Sequence, residues 1–369
     1  MARKARKDSL DPSLIQVVHV WNRCVRALSL CGVDPITGVD RDYRRGWSRD
    51  RLEHLASVFA IEVLTYAIMS NHTHQVVRSR PDIARQWSPE TVARRWLMIT
   101  PKRDRHGEII EPSAKRIRAI AANPKLVEKL RLQLSDVSWW MRSYAQNIAT
   151  RANREDRKQG HFWEQRFKAH VLVDEASILR CMMYVDLNPI RAAMAESIEE
   201  SDYTGAKDRL EDLRIHVATQ VGNRITLQFG SVSDTAQWER LEHQSSGWLS
   251  PIQIDAQLSE TARETDGSAD ARLKTRPRRI SQRGAVRVSL TKYLLLLDLV
   301  GREQRVGGSG FIPADAAMIL TQLNIEPTGF FESVLLFGRR FKSASCIQPR
   351  ESGHSECGDM SRRDPVVAV

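Results

Sequence analysis

Long apolar runs and paired cysteines are both scarce in this chain of 369 residues. Its longest apolar stretches, such as residues 293–297, fall far short of the roughly 20 residues that a membrane-spanning helix needs. The basic residues 1–7 are not followed by the apolar segment of a signal peptide. The five cysteines include no C-x-x-C pair, which favours free thiols in a reducing compartment over a zinc ribbon. These absences predict a cytoplasmic protein.

Acidic residues are outnumbered, and a phosphate-binding loop is missing. The chain carries 45 Asp and Glu against 56 Lys and Arg, which gives a formal net charge of +11 at pH 7. Such an excess favours a polyanionic partner, most simply a nucleic acid, because each phosphate contact releases bound counterions. No G-x-x-x-x-G-K-[ST] loop is present, so nothing in the sequence predicts chemistry driven by ATP.

Alternating and β-branched runs predict three strands in the first 80 residues. Residues 14–26 form the first strand, and residues 61–69 and 72–78 form a hairpin that turns at Ser70 and Asn71. Residues 43–59 carry apolar side chains at helical spacing, which predicts an amphipathic helix before the hairpin. This order of strand, helix, strand and strand is the first half of a split β-α-β sandwich.

The second half of the pattern is mostly helical. Residues 80–134 and 135–153 are predicted to form helices, and a loop from residue 160 leads into a strand that ends at residue 173. Asp174 is a helix-capping residue, so the next helix begins there. That helix ends at Asn188, because Pro189 cannot donate a backbone hydrogen bond. The sequence therefore predicts an α+β fold.

Composition divides the chain into five parts. Residues 1–13 form a basic N-terminal arm, and residues 14–209 form a domain that carries the motifs described below. Residues 210–288 are polar and end in a basic patch, with seven Lys and Arg and no acid between Arg272 and Arg287, so we expect a linker. Residues 289–344 recover a helical pattern and predict a small helical C-terminal region. The polar residues 345–369 predict a disordered tail.

One motif, Met-Ser-Asn-His-Thr-His over residues 69–74, closes the second predicted strand. Side chains alternate across a strand, so His72 and His74 project from one face about 7 Å apart along the backbone. Two imidazoles can reach one divalent metal ion across that gap. An isolated His-x-His is more often a pair of hairpin histidines without a metal, but its position at the start of a sheet strand strengthens the metal interpretation.

A second motif lies on the helix that Asp174 begins. Residues three and four apart share a helix face, so Arg180, Tyr184 and Asn188 form one stripe. A helical tyrosine is usually a packing residue with its hydroxyl at the surface, and helix termination alone explains an asparagine before proline. Spacing does not show why Tyr184 and Asn188 should act together.

Three motifs in order resemble the HUH single-tyrosine transposases, and among these the REP-associated tyrosine transposases. They are the histidine pair after residues 69–71, Trp-Glu-Gln-Arg-Phe at 163–167, and Tyr184 followed by Asp-Leu-Asn-Pro-Ile-Arg-Ala at 186–192. The resemblance covers residues 14–209. It implies a ferredoxin-like antiparallel sheet with helices on one face. It also implies a bacterial enzyme that acts on single-stranded or hairpin DNA, palindromic repeats among the candidate targets, with Mg²⁺ or Mn²⁺ as cofactor.

The resemblance assigns roles by position. His72 and His74 would be metal ligands, Tyr184 the nucleophile, and Asn188 a polar third ligand. Attack by tyrosine would cut a DNA strand and leave a 5′-phosphotyrosine and a free 3′-hydroxyl, which retains the bond energy for strand transfer. A metal held by two imidazoles and an amide oxygen leaves positions open for phosphate oxygens. We expect the following basic residues to contact DNA: Arg23, Arg26, Arg166, Lys168, Arg180 and Arg191.

Two positions depart from the family pattern. Thr73 stands where the family has a bulky hydrophobic residue, and Gln75 where an apolar residue usually follows. These departures motivate a second hypothesis, a DNA-binding protein that keeps the scaffold with impaired catalysis. A third is a zinc hydrolase that uses His72, His74 and another ligand such as His170, although no H-E-x-x-H signature is present and Tyr184 would have no role.

Overall fold

The computed structural model describes residues 10–25, 30–33, 38–195, 197–212, 247–254 and 279–306. The strands are β1 (Val17–Arg23), β2 (Ile61–Ile68), β3 (His72–Ser79), β4 (Lys102–Arg103), β5 (Ile109–Ile110) and β6 (Lys168–Leu172). The first helices are α1 (Arg44–Val58), α2 (Pro81–Gln86), α3 (Pro89–Met98), α4 (Ala114–Ala121) and α5 (Pro124–Leu134). The later helices are α6 (Val137–Glu155), α7 (Glu175–Asp186), α8 (Asn188–Arg191) and α9 (Leu290–Val306).

Four strands form one antiparallel sheet in the order β2, β3, β1, β6. The register pairs Val18 of β1 with Val77 of β3 and with Val171 of β6. A shift between Val63 and Thr65 bends β2 against β3. The predicted α+β class and the predicted hairpin are therefore confirmed, and β4 and β5 form a separate two-stranded ribbon.

Helices cover both faces of this sheet, whereas we expected them on one face. Val18, Val63 and Val77 belong to a core cluster that includes residues of α1 and α6. Ala67 and Val76 point the other way, into a cluster with residues of α7 and α9. The cause is the composition of β2, Ile-Glu-Val-Leu-Thr-Tyr-Ala-Ile, which is buried along its whole length and needs cover on both sides.

Polar caps fix where α6 and α7 begin. Asp136 precedes α6 and accepts a hydrogen bond from the backbone nitrogen of Ser138. Asp174 precedes α7 and forms a capping box with Ser177, in which each side chain bonds the other residue's backbone. The predicted cap at Asp174 is therefore confirmed.

Segments that follow residue 209 protect the open edge of β2. The backbone nitrogen of Ser250 donates to the carbonyl of Val63 at 2.9 Å. The guanidinium of Arg209 donates to the carbonyls of Leu64 and Ser250, at 2.5 and 2.8 Å. An exposed strand edge is prone to pairing with other chains. These contacts cover the edge of β2 and leave fewer of its backbone groups open to such pairing.

Helix α9 and the residues before it pack on the sheet as well. Arg78 of β3 donates to the carbonyls of Gly284 and Arg283 at 2.8 and 2.7 Å. Tyr293 is fully buried, and its hydroxyl donates to Oδ2 of Asp186 on α7 at 2.5 Å. Residues 247–254 and 279–306 therefore pack on the described part of residues 14–209, where we expected a linker and a separate helical region.

The predicted boundaries differ because burial, and not charge alone, decides where basic residues lie. Arg279 belongs to the predicted basic patch, yet it donates to the carbonyl of Leu249 at 3.0 Å. Leu10, in the predicted basic arm, is buried in the core. Residues 1–9, 213–246, 255–278 and 307–369 lie outside the described residues, and these include the predicted tail. In the described part of the chain, no helix combines the length and apolar character that crossing a bilayer requires.

Candidate active site

One face of the sheet gathers four histidines from three adjacent strands. The register pairs His19 of β1 with His170 of β6, and Trp21 of β1 with His74 of β3. His72 lies two residues before His74 on the same strand. Because side chains alternate across a strand, all of these rings project from the face that α7 covers.

The rings on this face are in direct contact. Nε2 of His19 lies 3.0 Å from Nδ1 of His74, and the two rings stack with centroids 5.2 Å apart. His19 also stacks on Trp21, with centroids 4.8 Å apart. His72 meets His74 edge to face at 5.0 Å. The histidine pair predicted from the sequence is therefore close in space, and β1 supplies a third imidazole.

Helix α7 carries Tyr184 to the same cluster. The helix buries Met182 and Val185 against the sheet, which turns Tyr184, between them in sequence, toward the histidines. The tyrosine ring stands edge-on to His74 with centroids 5.7 Å apart. It also stands edge-on to His19 at 6.2 Å. The predicted nucleophile and the predicted metal ligands thus share one site.

Asn188 lies beside Tyr184, although not on the same continuous helix as expected. Helix α7 ends at Asp186, and Asn188 begins the separate short helix α8 with Pro189 in its first turn. Proline is favoured at that position because its missing N–H has no helical partner there. Nδ2 of Asn188 donates to the carbonyl of Tyr184 at 3.0 Å, which fixes the amide one turn after the tyrosine.

Burial keeps the imidazoles of the site neutral. It lowers the pKa of His19 to about 3, and the neighbouring His170 adds to this effect. It lowers the pKa of His72 to about 4, with a further contribution from Arg23. The pKa of His74 lies well below its usual value, first through burial and then through the adjacent His72. Neutral imidazoles present a free lone pair, which metal binding requires.

The hydroxyl of Tyr184 is also perturbed. Burial raises the pKa of Tyr184 above its usual value, whereas the charge of Arg191 and a hydrogen bond from Asn188 oppose that rise. The guanidinium carbon of Arg191 lies 5.0 Å from the centre of the tyrosine ring. Tyr184 is therefore a phenol at neutral pH that has a cation and an amide donor next to it.

The histidines have neighbours suited to metal binding. Metal-bound histidines usually donate their other ring nitrogen to an acceptor. Here Nδ1 of His72 contacts Oδ1 of Asn71 at 2.7 Å, and Nδ1 of His74 contacts His19. An ion would therefore bind through Nε2 of His72 and His74. No three His, Cys, Asp or Glu side chains in the described ranges are arranged to hold an ion, so these histidines by themselves do not complete a metal site.

The two departures from the family pattern lie on the opposite face of β3. Thr73 donates from Oγ1 to Oδ1 of Asn22 on β1 at 2.7 Å. Gln75 accepts at Oε1 from the indole nitrogen of Trp140 on α6 at 2.7 Å. Both polar side chains therefore bond partners in the core on the face opposite to the imidazoles, although Nε2 of Gln75 is buried without a partner in the described part of the chain.

Three of the six predicted DNA-binding residues lie at this face. Arg23 pairs in register with His72, Lys168 with Trp21, and Arg191 covers Tyr184. Arg166 is exposed two residues before Lys168. Arg180 lies on the same face of α7 as Tyr184, one turn earlier, and Arg26 lies outside the described residues.

Sequence reasoning missed His19 and Trp21, which it treated only as strand residues. The signal was available in the alternation of β1. His19 and Trp21 are two residues apart, as His72 and His74 are, and antiparallel pairing of the two strands brings both sets to one face. What the sequence did not reveal was the register of β1 on β3, which brings Trp21 opposite His74.

No protein-family model, no curated protein and no solved structure matches this chain. The resemblance to the HUH single-tyrosine transposases therefore rests on its three sequence motifs.

Proposed function

We propose that this protein cleaves and rejoins single-stranded or hairpin DNA through a covalent bond to Tyr184. The observation that carries the proposal is the contact of Tyr184 with His74, edge to face at 5.7 Å, on the sheet face that also holds His72. A phenol beside two neutral imidazoles and a cation is suited to attack on a phosphodiester. The charge of Arg191 and Lys168 attracts the phosphate to the same face.

In the proposed reaction, Oη of Tyr184 forms a bond to phosphorus while the bond from phosphorus to the 3′-oxygen breaks. The phenolic proton passes to water, and the departing 3′-oxygen takes up a proton. Arg191 stabilises both the phenolate and the charge that develops on the phosphate. A Mg²⁺ or Mn²⁺ ion, held by His72, His74 and Asn188, would polarise the phosphate as a Lewis acid when bound.

We also infer that the fold is ferredoxin-like and that the chain is a REP-associated tyrosine transposase. The strand order β2, β3, β1, β6, with every neighbouring pair antiparallel, supports the first inference. The connection of β1 to β2 through α1 also supports it. The second inference rests on the position of the motifs, because the histidine pair and Tyr184 lie together at one face although they are more than 100 residues apart.

The test is whether the protein forms a covalent adduct with hairpin DNA in the presence of Mn²⁺. With label at the 3′ end of the DNA, the protein should carry the label through a 5′-phosphotyrosine. With label at the 5′ end, the free product should end in a 3′-hydroxyl that a polymerase extends. Tyr184→Phe should abolish the adduct and leave DNA affinity within about twofold, because binding rests on many phosphate contacts.

Tyr43→Phe is the matched control, since Tyr43 is exposed near the start of α1 and its hydroxyl bonds Glu155. This variant should form the adduct normally. An adduct that persists in Tyr184→Phe contradicts the assignment of the nucleophile. Adduct formation with the 5′-labelled fragment would contradict the polarity of cleavage.

The same assay separates the alternatives. A protein that only binds DNA forms no adduct in any metal, yet shifts hairpin DNA on a gel. A zinc hydrolase using His72, His74 and His170 releases products without an adduct, and zinc should copurify with it. His72→Ala and His74→Ala should each abolish metal-dependent cleavage and remain folded, which circular dichroism checks.

A further inference from the structure

A cleft opens in the helical layer, away from the histidine site. Its volume is about 370 Å³. One wall is a stripe of α6 that includes Trp139, Arg142 and Gln146, and the other is the end of α3 with Trp96. Arg51 of α1 lies at the base. Pockets of this size accept ligands as large as a nucleotide unit.

The base of the cleft holds a buried positive charge. Arg51 is 8% exposed, and its guanidinium donates to the carbonyls of Ile99 and Ser143 at 2.9 and 3.1 Å. Its Nε is buried without a hydrogen-bond partner among the described residues. Burial lowers the pKa of Arg51 to about 10, and the nearby Arg103 adds to this, so the group stays charged at neutral pH.

Nothing in the cleft neutralises that charge. None of the ten described residues that line it is acidic. No ion pair joins Arg51 to a carboxylate in the part of the chain that the structure describes. A buried, unpaired cation is costly, and an anion bound in the cleft would offset that cost.

The walls offer aromatic faces next to the charge. Trp96 and Trp139 are half-buried and meet edge to face with centroids 5.3 Å apart. The guanidinium carbon of the exposed Arg142 lies 4.9 Å from the centre of the Trp139 ring. Gln146 and Asn147 line the cleft and are exposed, so their amides can bond base edges. Partly exposed tryptophans beside arginines are the usual means of binding unpaired bases and their phosphates.

We propose that this cleft binds a segment of single-stranded DNA, with a base stacked on Trp139 and its phosphate at Arg142 and Arg51. The proposal rests on the DNA-cleaving function proposed above, and adds a second contact on the opposite side of the sheet from Tyr184. The unpaired flank of a hairpin substrate is the part of the DNA that would occupy it.

The experiment measures binding of an oligothymidylate of about 12 nucleotides to the full-length protein, by anisotropy and by quenching of tryptophan fluorescence. All proteins carry Tyr184→Phe so that cleavage does not interfere. Trp139→Leu should weaken binding by about tenfold and remove most of the quenching. Arg142→Ala should weaken binding and reduce the salt dependence by about one phosphate contact. Thymidine monophosphate should bind far more weakly than the oligonucleotide.

Two matched controls lie outside the cleft. Trp47 is also a half-buried tryptophan with an arginine, Arg151, 3.7 Å from its ring centre. Arg154 is exposed on α6, twelve residues after Arg142. Trp47→Leu and Arg154→Ala should change affinity less than about twofold, because neither side chain lines the cleft.

Equal losses of DNA affinity in the cleft variants and the controls would contradict the proposal that the cleft binds DNA. They would not bear on cleavage by Tyr184, because the covalent adduct tests that separately. Binding of the monophosphate as tightly as the oligonucleotide would identify a free-nucleotide site and overturn the proposal as stated. If the cleft variants bind the oligonucleotide more weakly while the unsubstituted protein forms no adduct, the result supports the DNA-binding cleft and contradicts cleavage by Tyr184.

Discussion

His19 and His74 are joined through their rings, Nε2 to Nδ1, at 3.0 Å. The contact crosses from β1 to β3, so the orientation of a predicted metal ligand depends on a neighbouring strand. If His74 binds an ion through Nε2, its Nδ1 carries the proton and donates to His19. His19 then acts as a positioning residue for His74 and does not itself touch the substrate.

We therefore predict that His19→Leu raises the metal concentration needed for half-maximal cleavage by about 10- to 100-fold, the usual effect of losing such a partner. Saturating Mn²⁺ should restore most of the rate. His19→Gln should recover part of the affinity, because its amide oxygen can still accept from His74. The measurement is the cleavage rate across a series of Mn²⁺ concentrations.

His170→Gln is the control, since His170 lies opposite His19 on β6 and the same face. This variant should leave the metal dependence unchanged. If His19→Leu keeps the metal dependence of the unsubstituted protein, then His19 only fills space behind His74.

The sequence predicted the strands of this site well because their signals are local. Alternation and turn residues defined the hairpin of β2 and β3, and the cap at Asp174 located the start of α7. The pairing of β1 with β3 is a contact between distant parts of the chain, and no local pattern encodes it. The pair His72 and His74 was recognised from its local spacing and Tyr184 from the family resemblance, whereas His19 and Trp21 were missed.

The packing of residues 279–288 on the sheet was not predicted, for a related physical reason. A segment rich in arginine resembles a solvated linker when only composition is considered. In the structure Arg279 donates to a backbone carbonyl, and the carbonyls of Arg283 and Gly284 accept hydrogen bonds from Arg78 on β3. Such pairing requires partners from distant parts of the chain, which composition does not reveal.

Gln75 and Trp140 form a second testable pair, in the core on the far side of β3. We predict a coupling energy of about 1–2 kcal/mol between Gln75→Leu and Trp140→Phe, because each single change leaves one partner buried without its hydrogen bond. The double variant should be more stable than the sum of the two single changes. Urea denaturation of the four proteins measures this coupling.

The control cycle combines Trp140→Phe with Ser88→Ala, which removes the distant cap of α3. These two changes should be additive within about 0.5 kcal/mol. Additive behaviour of Gln75→Leu with Trp140→Phe would contradict the bond. It would mean that Gln75 and Trp140 contribute to stability independently of each other.

The raised pKa of Asp212 predicts how the stability of the folded protein depends on pH. Burial, followed by the charge of Asp208, raises the pKa of Asp212 to about 6. The folded protein therefore holds this proton more tightly than the unfolded chain, whose carboxyl titrates near its ordinary value of about 4. The stability that the protonated group provides is present below pH 4 and is lost as the pH rises through 6.

Asp212→Asn should accordingly be more stable than the unsubstituted protein at pH 8, by about 1–3 kcal/mol, and no more stable at pH 4. Thermal denaturation across that range is the measurement. Asp202→Asn removes the same charge at an exposed position and should show no such trend. Equal pH profiles for Asp212→Asn and the unsubstituted protein would exclude this source of pH dependence.

The last prediction concerns the residues after Arg209. A fragment that ends there loses Ser250 from the edge of β2 and loses Tyr293, the buried partner of Asp186. It should aggregate or lack a cooperative melting transition, because an open strand edge and a buried carboxylate are exposed together. A fragment that ends at Val306 keeps every described contact and should show a cooperative melting transition.

Tyr293→Phe tests the same docking without truncation, since it removes one hydroxyl from the buried carboxylate of Asp186. It should cost about 1–3 kcal/mol of the free energy of unfolding, measured in urea. Gly284→Ala should be comparably destabilising, because a Cβ there would lie 1.9 Å from the carbonyl oxygen of Gln253. If the fragment ending at Arg209 folds and forms the Tyr184 adduct, α9 does not stabilise the helix that presents the nucleophile.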